Sequence, residues 1–185
     1  MCPFVSGSGS FDRVLVHLEK PAILQRARKV GRKLLYLHYA PLEERKVYMG
    51  EELEIQIGGV KFIAELLERE ASKTCKTILE ALPIESKALH HMWSGEGIYV
   101  PMPSGKVAAR LELENSTVYP SRGDVGWYSP EKEIFIIYGR ARWHTLTGPA
   151  PCNVFARISE NLKELREIGI KIHREGAKKA RIKLK

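Results

Sequence analysis

From residue 53 the chain alternates. Leu53, Ile55 and Ile57 are apolar with Glu54 and Gln56 between them, and beyond Gly58-Gly59 the alternation resumes at Val60, Phe62, Ala64 and Leu66. Period-two spacing turns one face of a strand to a core and the other to water. Two glycines supply the positive φ angles of a primed two-residue turn, so residues 53–66 are expected to form a β-hairpin. The period then changes. Ala71, Cys75, Ile78, Leu79 and Leu82 fall at helical spacing, with Ser72 as the N-cap and Pro83 just past the end. Short β-rich runs follow at 87–92, 97–102, 107–114, 133–138 and 153–158, separated by glycines and prolines. Ser159 is placed to cap a second helix carrying Leu162, Leu165 and Ile168, and Ala180, Ile182 and Leu184 alternate in a last strand.

About eight short strands with turn residues between them predict a sandwich or barrel, and two separated helices suit a barrel whose open ends need lids. The first part of the chain is patterned differently. Residues 11–18 read as a strand, Pro21 fits a helix start and Gly31 its end, and residues 34–39 are extended. So short a stretch makes a poor independent domain. The expected organisation is a basic N-terminal extension, residues 1–48, packed on a barrel domain of residues 49–185.

Composition narrows the class. An apolar share of 44% against 28% charged is a globular balance that can bury a core. The longest apolar run, 134–138, is far short of the roughly 20 residues that cross a bilayer, so no membrane partner is expected. Residues 1–10 lack a basic, then apolar, leader pattern. Cys2, Cys75 and Cys152 form no C-x-x-C pair. A cytoplasmic protein is expected, with no zinc knuckle and no cofactor. Scarce Asn and Gln accord with life at high temperature. The net charge of +8 sits at the ends, because residues 12–48 and 163–185 are rich in Lys and Arg while the middle is not. Basic ends bind phosphate backbones by releasing counterions, which makes nucleic acid the alternative partner. No aromatic residue interleaves the basic stretches 26–33 and 178–185, which counts against base stacking.

Three segments resemble cyclophilin segments in the right order. Ala71-Ser72-Lys73-Thr74 is similar to the A-P-K-T that opens the first cyclophilin helix, Glu133-Ile134-Phe135-Ile136-Ile137 to the S-Q-F-F-I strand, and Asn153-Val154-Phe155-Ala156-Arg157-Ile158 to V-V-F-G-K-V. Closer still is a small archaeal and bacterial cyclophilin-like family of unassigned activity, with its G-D-V-G-[YW]-[YW]-x-P and N-V-[IF]-[GA]-R-I segments. Residues 123–130 and 153–158 follow both, and Trp93-Ser94-Gly95-Glu96-Gly97-Ile98-Tyr99 is similar to its W-G-E-x-I-Y strand pair. The resemblance implies a mostly β fold with two or three helices, a closed antiparallel eight-stranded cyclophilin-like β-barrel capped by helices.

It also implies a side cleft in which a proline-containing ligand sits. Cyclophilins set an arginine on the strand after the first helix against the substrate amide, where a charged donor lowers a rotation barrier of about 20 kcal/mol. No arginine stands between Arg69 and Arg110, and the expected position reads Leu89-His90-His91-Met92-Trp93. Peptidyl-prolyl isomerase activity is therefore expected to be weak or absent. The adjacent pair His90-His91 is a poor metal site, since strand neighbours point to opposite faces; no metal site is expected. His91, Trp93, Glu96, Tyr128, Phe135 and Asn153 are the candidate lining of a pocket for a peptide or small apolar ligand, and His144 is placed to face the same cleft.

Overall fold

The computed structural model describes residues 50–107 and 110–185. The expected extension over residues 1–48 lies outside them. The described unit, Gly50–Lys185, is mostly β with two helices. Its strands are β1 (Glu52–Ile57), β2 (Val60–Leu66), β3 (Ile84–His90), β4 (Gly95–Pro101), β5 (Ser116–Thr117), β6 (Asp124–Tyr128), β7 (Glu133–Ala141), β8 (His144–Thr145), β9 (Gly148–Pro149), β10 (Cys152–Ile158) and β11 (Lys178–Leu184), and its helices are α1 (Ser72–Glu80) and α2 (Leu162–Glu175).

Eight of these strands close a ring in the order β2-β1-β11-β3-β4-β7-β6-β10, and β10 pairs back onto β2. Every pairing is antiparallel. The closed eight-stranded antiparallel barrel expected from the sequence is the architecture observed; closure removes the exposed edges an open sheet would leave. The two-residue β5 adds to β10 outside the ring, and β8 pairs with β9 in a small separate hairpin. No helix among the described residues is long and apolar enough to cross a membrane.

The β1–β2 hairpin forms as its pattern predicts. Ile57 faces Val60 across the turn, with Gly58 and Gly59 at φ 56° and 92°, the positive values a primed turn needs. Leu53, Ile55, Ile57, Phe62, Ala64 and Leu66 are all buried in the barrel core. Both helices add to that core, α1 through Cys75 and Ile78, α2 through Leu165, Ile168 and Ile172.

Three local expectations are corrected. Residues 107–114 form no strand in their described part, despite their alternation. The place between β7 and β10 is taken by β6, and the backbone of this segment bonds to side chains instead: Leu111 N–H donates to Ser129 Oγ, and Glu114 N–H to Asn153 Oδ1. Ser72 does not cap α1. Ala71 occupies that position, and the Glu114 carboxylate accepts from the Lys73 and Thr74 N–H groups at 3.3 and 2.9 Å. A carboxylate 40 residues away thus does the work of an N-cap. Ser159 does not cap α2 either; Asn161 stands there in the left-handed conformation, φ 54°.

Strand β7 is buried on both faces along Glu133 to Tyr138. Ile134, Ile136 and Tyr138 belong to the barrel core, while Phe135 and Ile137 join a second cluster with Tyr128, Trp143, Cys152 and Val154. Gly126 on β6 makes the second cluster possible, because a Cβ at this position would overlap the Phe135 ring. Gly126→Ala is expected to cost about 3 kcal/mol, the upper end of the overpacking range. A urea titration showing less than about 1 kcal/mol would mean that Phe135 moves aside freely.

Candidate functional site

The second cluster lies under a segment crossing from β7 to β10. Arg142 N–H donates to the Ser94 carbonyl at 3.1 Å, Trp143 N–H to the Val118 carbonyl at 2.8 Å, and Ala150 N–H to the Trp143 carbonyl at 3.2 Å. The buried Ser94 hydroxyl accepts from His144 N–H at 3.0 Å. These bonds tie down the small β8–β9 hairpin and seat the Trp143 indole, which is fully buried, 4.4 Å from the Phe135 ring and 5.9 Å from that of Tyr128.

A cleft of about 240 Å³ opens above, lined by His91, Trp93, Tyr128, Glu131, His144 and the hairpin tip 145–147. Its lining includes two exposed apolar side chains, Trp93, 52% accessible, and Leu146, 79%. Its inner end is polar. His91 follows the last residue of β3, and its N–H donates to the Gly97 carbonyl. Successive residues on an extended chain point opposite ways, and the two histidines do. The His90 ring meets the Tyr138 hydroxyl at 2.9 Å and lies tilted against His173 of α2, ring centroids 4.2 Å apart. The His91 ring instead lies 4.4 Å from Trp143, edge-on to Tyr99, with Nε2 3.7 Å from Glu133 Oε1.

Glu133 is the first residue of β7 and is buried beside His91. Burial, then the charge of nearby Glu131, pushes its carboxyl up to about 8. Burial, then His90, pulls the His91 imidazole down to about 4. Two neighbouring ionisable groups are therefore held neutral, each because taking a charge out of water costs more than its surroundings return. The Tyr128 and Tyr99 hydroxyls also rise, chiefly through burial. Cys75 and Cys152 are buried free thiols outside the cleft lining; burial raises Cys75 to about 12, which leaves it little thiolate for chemistry.

Of the residues singled out from the sequence, His91, Trp93 and Tyr128 line this cleft together with His144. Phe135 lies beneath it, against Trp143. Glu96 and Asn153 are elsewhere. Glu96 accepts the Arg140 N–H at 2.8 Å and approaches Arg166 of α2. Asn153 spends its amide on structure, accepting from Glu114 N–H and donating to Thr74 Oγ1 and the Glu112 carbonyl; it lines a second cavity of about 340 Å³ bounded by residues 110–113 and Trp127. Sequence reasoning missed Trp143, Glu131 and Glu133. The available signal was an acidic residue opening the apolar run 134–138.

All of these residues fall within the stretch, residues 53–184, that matches the family model described as "Protein of unknown function (DUF3830)". The chain belongs to the DUF3830 family. This DUF3830 chain is similar to the solution structure of the hypothetical protein AF2241 from Archaeoglobus fulgidus, with 27% identity and a TM-score of 0.54, over 73% of this chain and 95% of that one. It is also similar to McbB in complex with tryptophan, at 19% identity and TM-score 0.57, over 71% of this chain and 44% of that one; at that identity the likeness concerns the fold alone. A search of curated proteins found no match.

Proposed function

We propose that this DUF3830 protein is a cyclophilin-like, cytoplasmic binding module that takes a peptide or small apolar ligand in the cleft beside Trp93, with weak or no peptidyl-prolyl isomerase activity. The observation that carries this reading is the contrast within the cleft: exposed Trp93 and Leu146 in its lining and a buried polar end at His91. Exposed apolar groups gathered at a concave site mark a place where something docks. The aromatic walls supply area at low entropic cost, and His91 with Tyr128 can orient a polar group of the ligand.

The isomerase step has little support. Among the described residues no arginine lines the cleft, and His91 is held neutral, so it offers a weaker donor than the guanidinium that weakens amide resonance in cyclophilins. Nucleic acid as partner has less support than an apolar ligand. On β11 and just after it, Lys178, Arg181, Lys183 and Lys185 lie against Glu175, Glu85, Glu54 and Glu52, and paired cations release fewer counterions.

The test is a titration with a proline-containing peptide followed by backbone amide shifts. Saturable shifts at residues 91–94 and 144–147 are expected, with binding weakened about tenfold or more in Trp93→Ala. A protease-coupled assay should give an isomerisation rate indistinguishable from the uncatalysed one. Shifts confined to β11 or the second cavity would overturn the cleft assignment, and a clear rate enhancement abolished by Trp93→Ala would make the protein an enzyme.

A further inference from the structure

The polar end of the cleft gathers three ligating side chains from two places in the sequence. A ring nitrogen of His91, a carboxylate oxygen of Glu131 and one of Glu133 lie within 4.8 Å of one another. His91 comes from the turn after β3, and the two carboxylates from the β6–β7 turn and the start of β7. We propose that His91, Glu131 and Glu133 form a binding site for a divalent first-row cation of the zinc class, with an open coordination position facing the cleft.

Geometry and burial carry this assignment. The side chains of His91 and Glu133 are only 7% and 4% accessible. Their facing atoms stand 3.7 Å apart, beyond a hydrogen bond yet near the roughly 3.4 Å edge between ligands of a tetrahedral zinc ion with bonds of about 2.0–2.2 Å. Glu133 Oε1 has no hydrogen-bond partner, although it is buried and directed at the imidazole. A buried acceptor left unpaired costs about 1–3 kcal/mol, and a cation between the two groups removes that cost. Glu131, exposed on its turn, already brings a carboxylate oxygen within 4.8 Å of the other two ligand atoms.

The donor set indicates the class of metal. An imidazole favours zinc and its neighbours over calcium or magnesium, and two carboxylates without a thiolate suit a borderline rather than a soft ion. Three protein ligands leave a fourth position for water or for a polar group of whatever enters the cleft. The site does not depend on the apolar-ligand reading, because metal binding and peptide binding are measured separately.

The rival grouping is the tilted ring pair of His90 and His173, the latter on α2, with which no carboxylate is grouped at ligating distance among the described residues. The test uses the full chain, stripped with a chelator and titrated calorimetrically with Zn²⁺ alone. One strong binding event is expected, weakened about tenfold or more by Glu133→Gln and by Glu131→Gln, and kept in His173→Gln. Gln at 133 retains the shape of the neutral acid, and residue 131 is exposed, so neither change threatens the fold. Mn²⁺ should broaden the Trp143 indole signal in wild type, whose ring lies 4.4 Å from that of His91, and leave it sharp in Glu133→Gln. Absence of binding at millimolar Zn²⁺, binding unaffected by both Gln variants, or binding lost in His173→Gln would overturn the proposal.

Discussion

Trp143→Ala is expected to lower the unfolding free energy by about 3–5 kcal/mol, the range for removing a large buried aromatic side chain. The indole touches Phe135, His91 and Tyr128 at once and is fully buried, so its loss hollows out the cluster on the outer face of β7. The backbone bonds of Trp143 to Val118 and Ala150 remain, and the hairpin above should keep its course while the cleft loses its floor. Trp143→Phe separates packing from polarity. It keeps a ring while removing the indole N–H, which is buried without a hydrogen-bond partner, so its cost should be below about 1.5 kcal/mol. Urea midpoints at unchanged m-value decide between these outcomes. An alanine variant losing under about 1 kcal/mol would show that the cluster contributes little to stability.

The second large effect is a dependence on pH that one substitution isolates. The Glu133 carboxyl is raised in the fold to about 8, from about 4.3 in an unfolded chain. Its stabilising contribution is fully present below the unfolded value and is lost as pH rises through the folded one. His91 works in the opposite sense. Its folded value falls to about 4 from about 6.5 when unfolded, so its contribution is present above the unfolded value and is lost as pH falls through the folded one.

Between about pH 4.5 and 6.5 the folded pair and the unfolded pair each hold one proton, and the two slopes cancel. From about pH 6.5 to 8 only the Glu133 slope remains. Metal-free protein should therefore lose roughly 2 kcal/mol across that interval, at about 1.4 kcal/mol per pH unit. Glu133→Gln should abolish the loss. The stability of this variant relative to wild type, measured with chelator present, should grow by about 3–5 kcal/mol between pH 4.5 and 8. All other titrations cancel in that difference, and a flat difference would mean that Glu133 ionises freely in the fold.

How far the site could be read in advance differs residue by residue. Trp93 and Tyr128 stood in segments with a recognisable pattern, and the opposite facing of His90 and His91 follows from extended backbone alone. Glu131 and Glu133 did not announce themselves. Nothing local distinguishes a carboxylate at a turn from a solvated one; Glu133 became special because it is buried beside His91 and Tyr99, which come from another part of the chain. Asn153 shows the reverse case. Its segment marked it as a candidate, yet three hydrogen bonds occupy it in holding α1 and residues 112–114 to β10.

Alone, the order of residues determined the β1–β2 hairpin, two amphipathic helices and most of the strands of a closed barrel, because alternation, helical spacing and the Gly58-Gly59 turn are local properties of the backbone and its immediate neighbours. Only the tertiary structure decided that 124–128 enters the ring while the described part of 107–114 does not, that Glu114 caps α1 from a distance, and that a buried carboxyl faces an imidazole at the inner end of a cleft. Those outcomes depend on which groups meet after closure. Desolvation and pairing act through space between residues far apart in sequence, and no period along the chain encodes them.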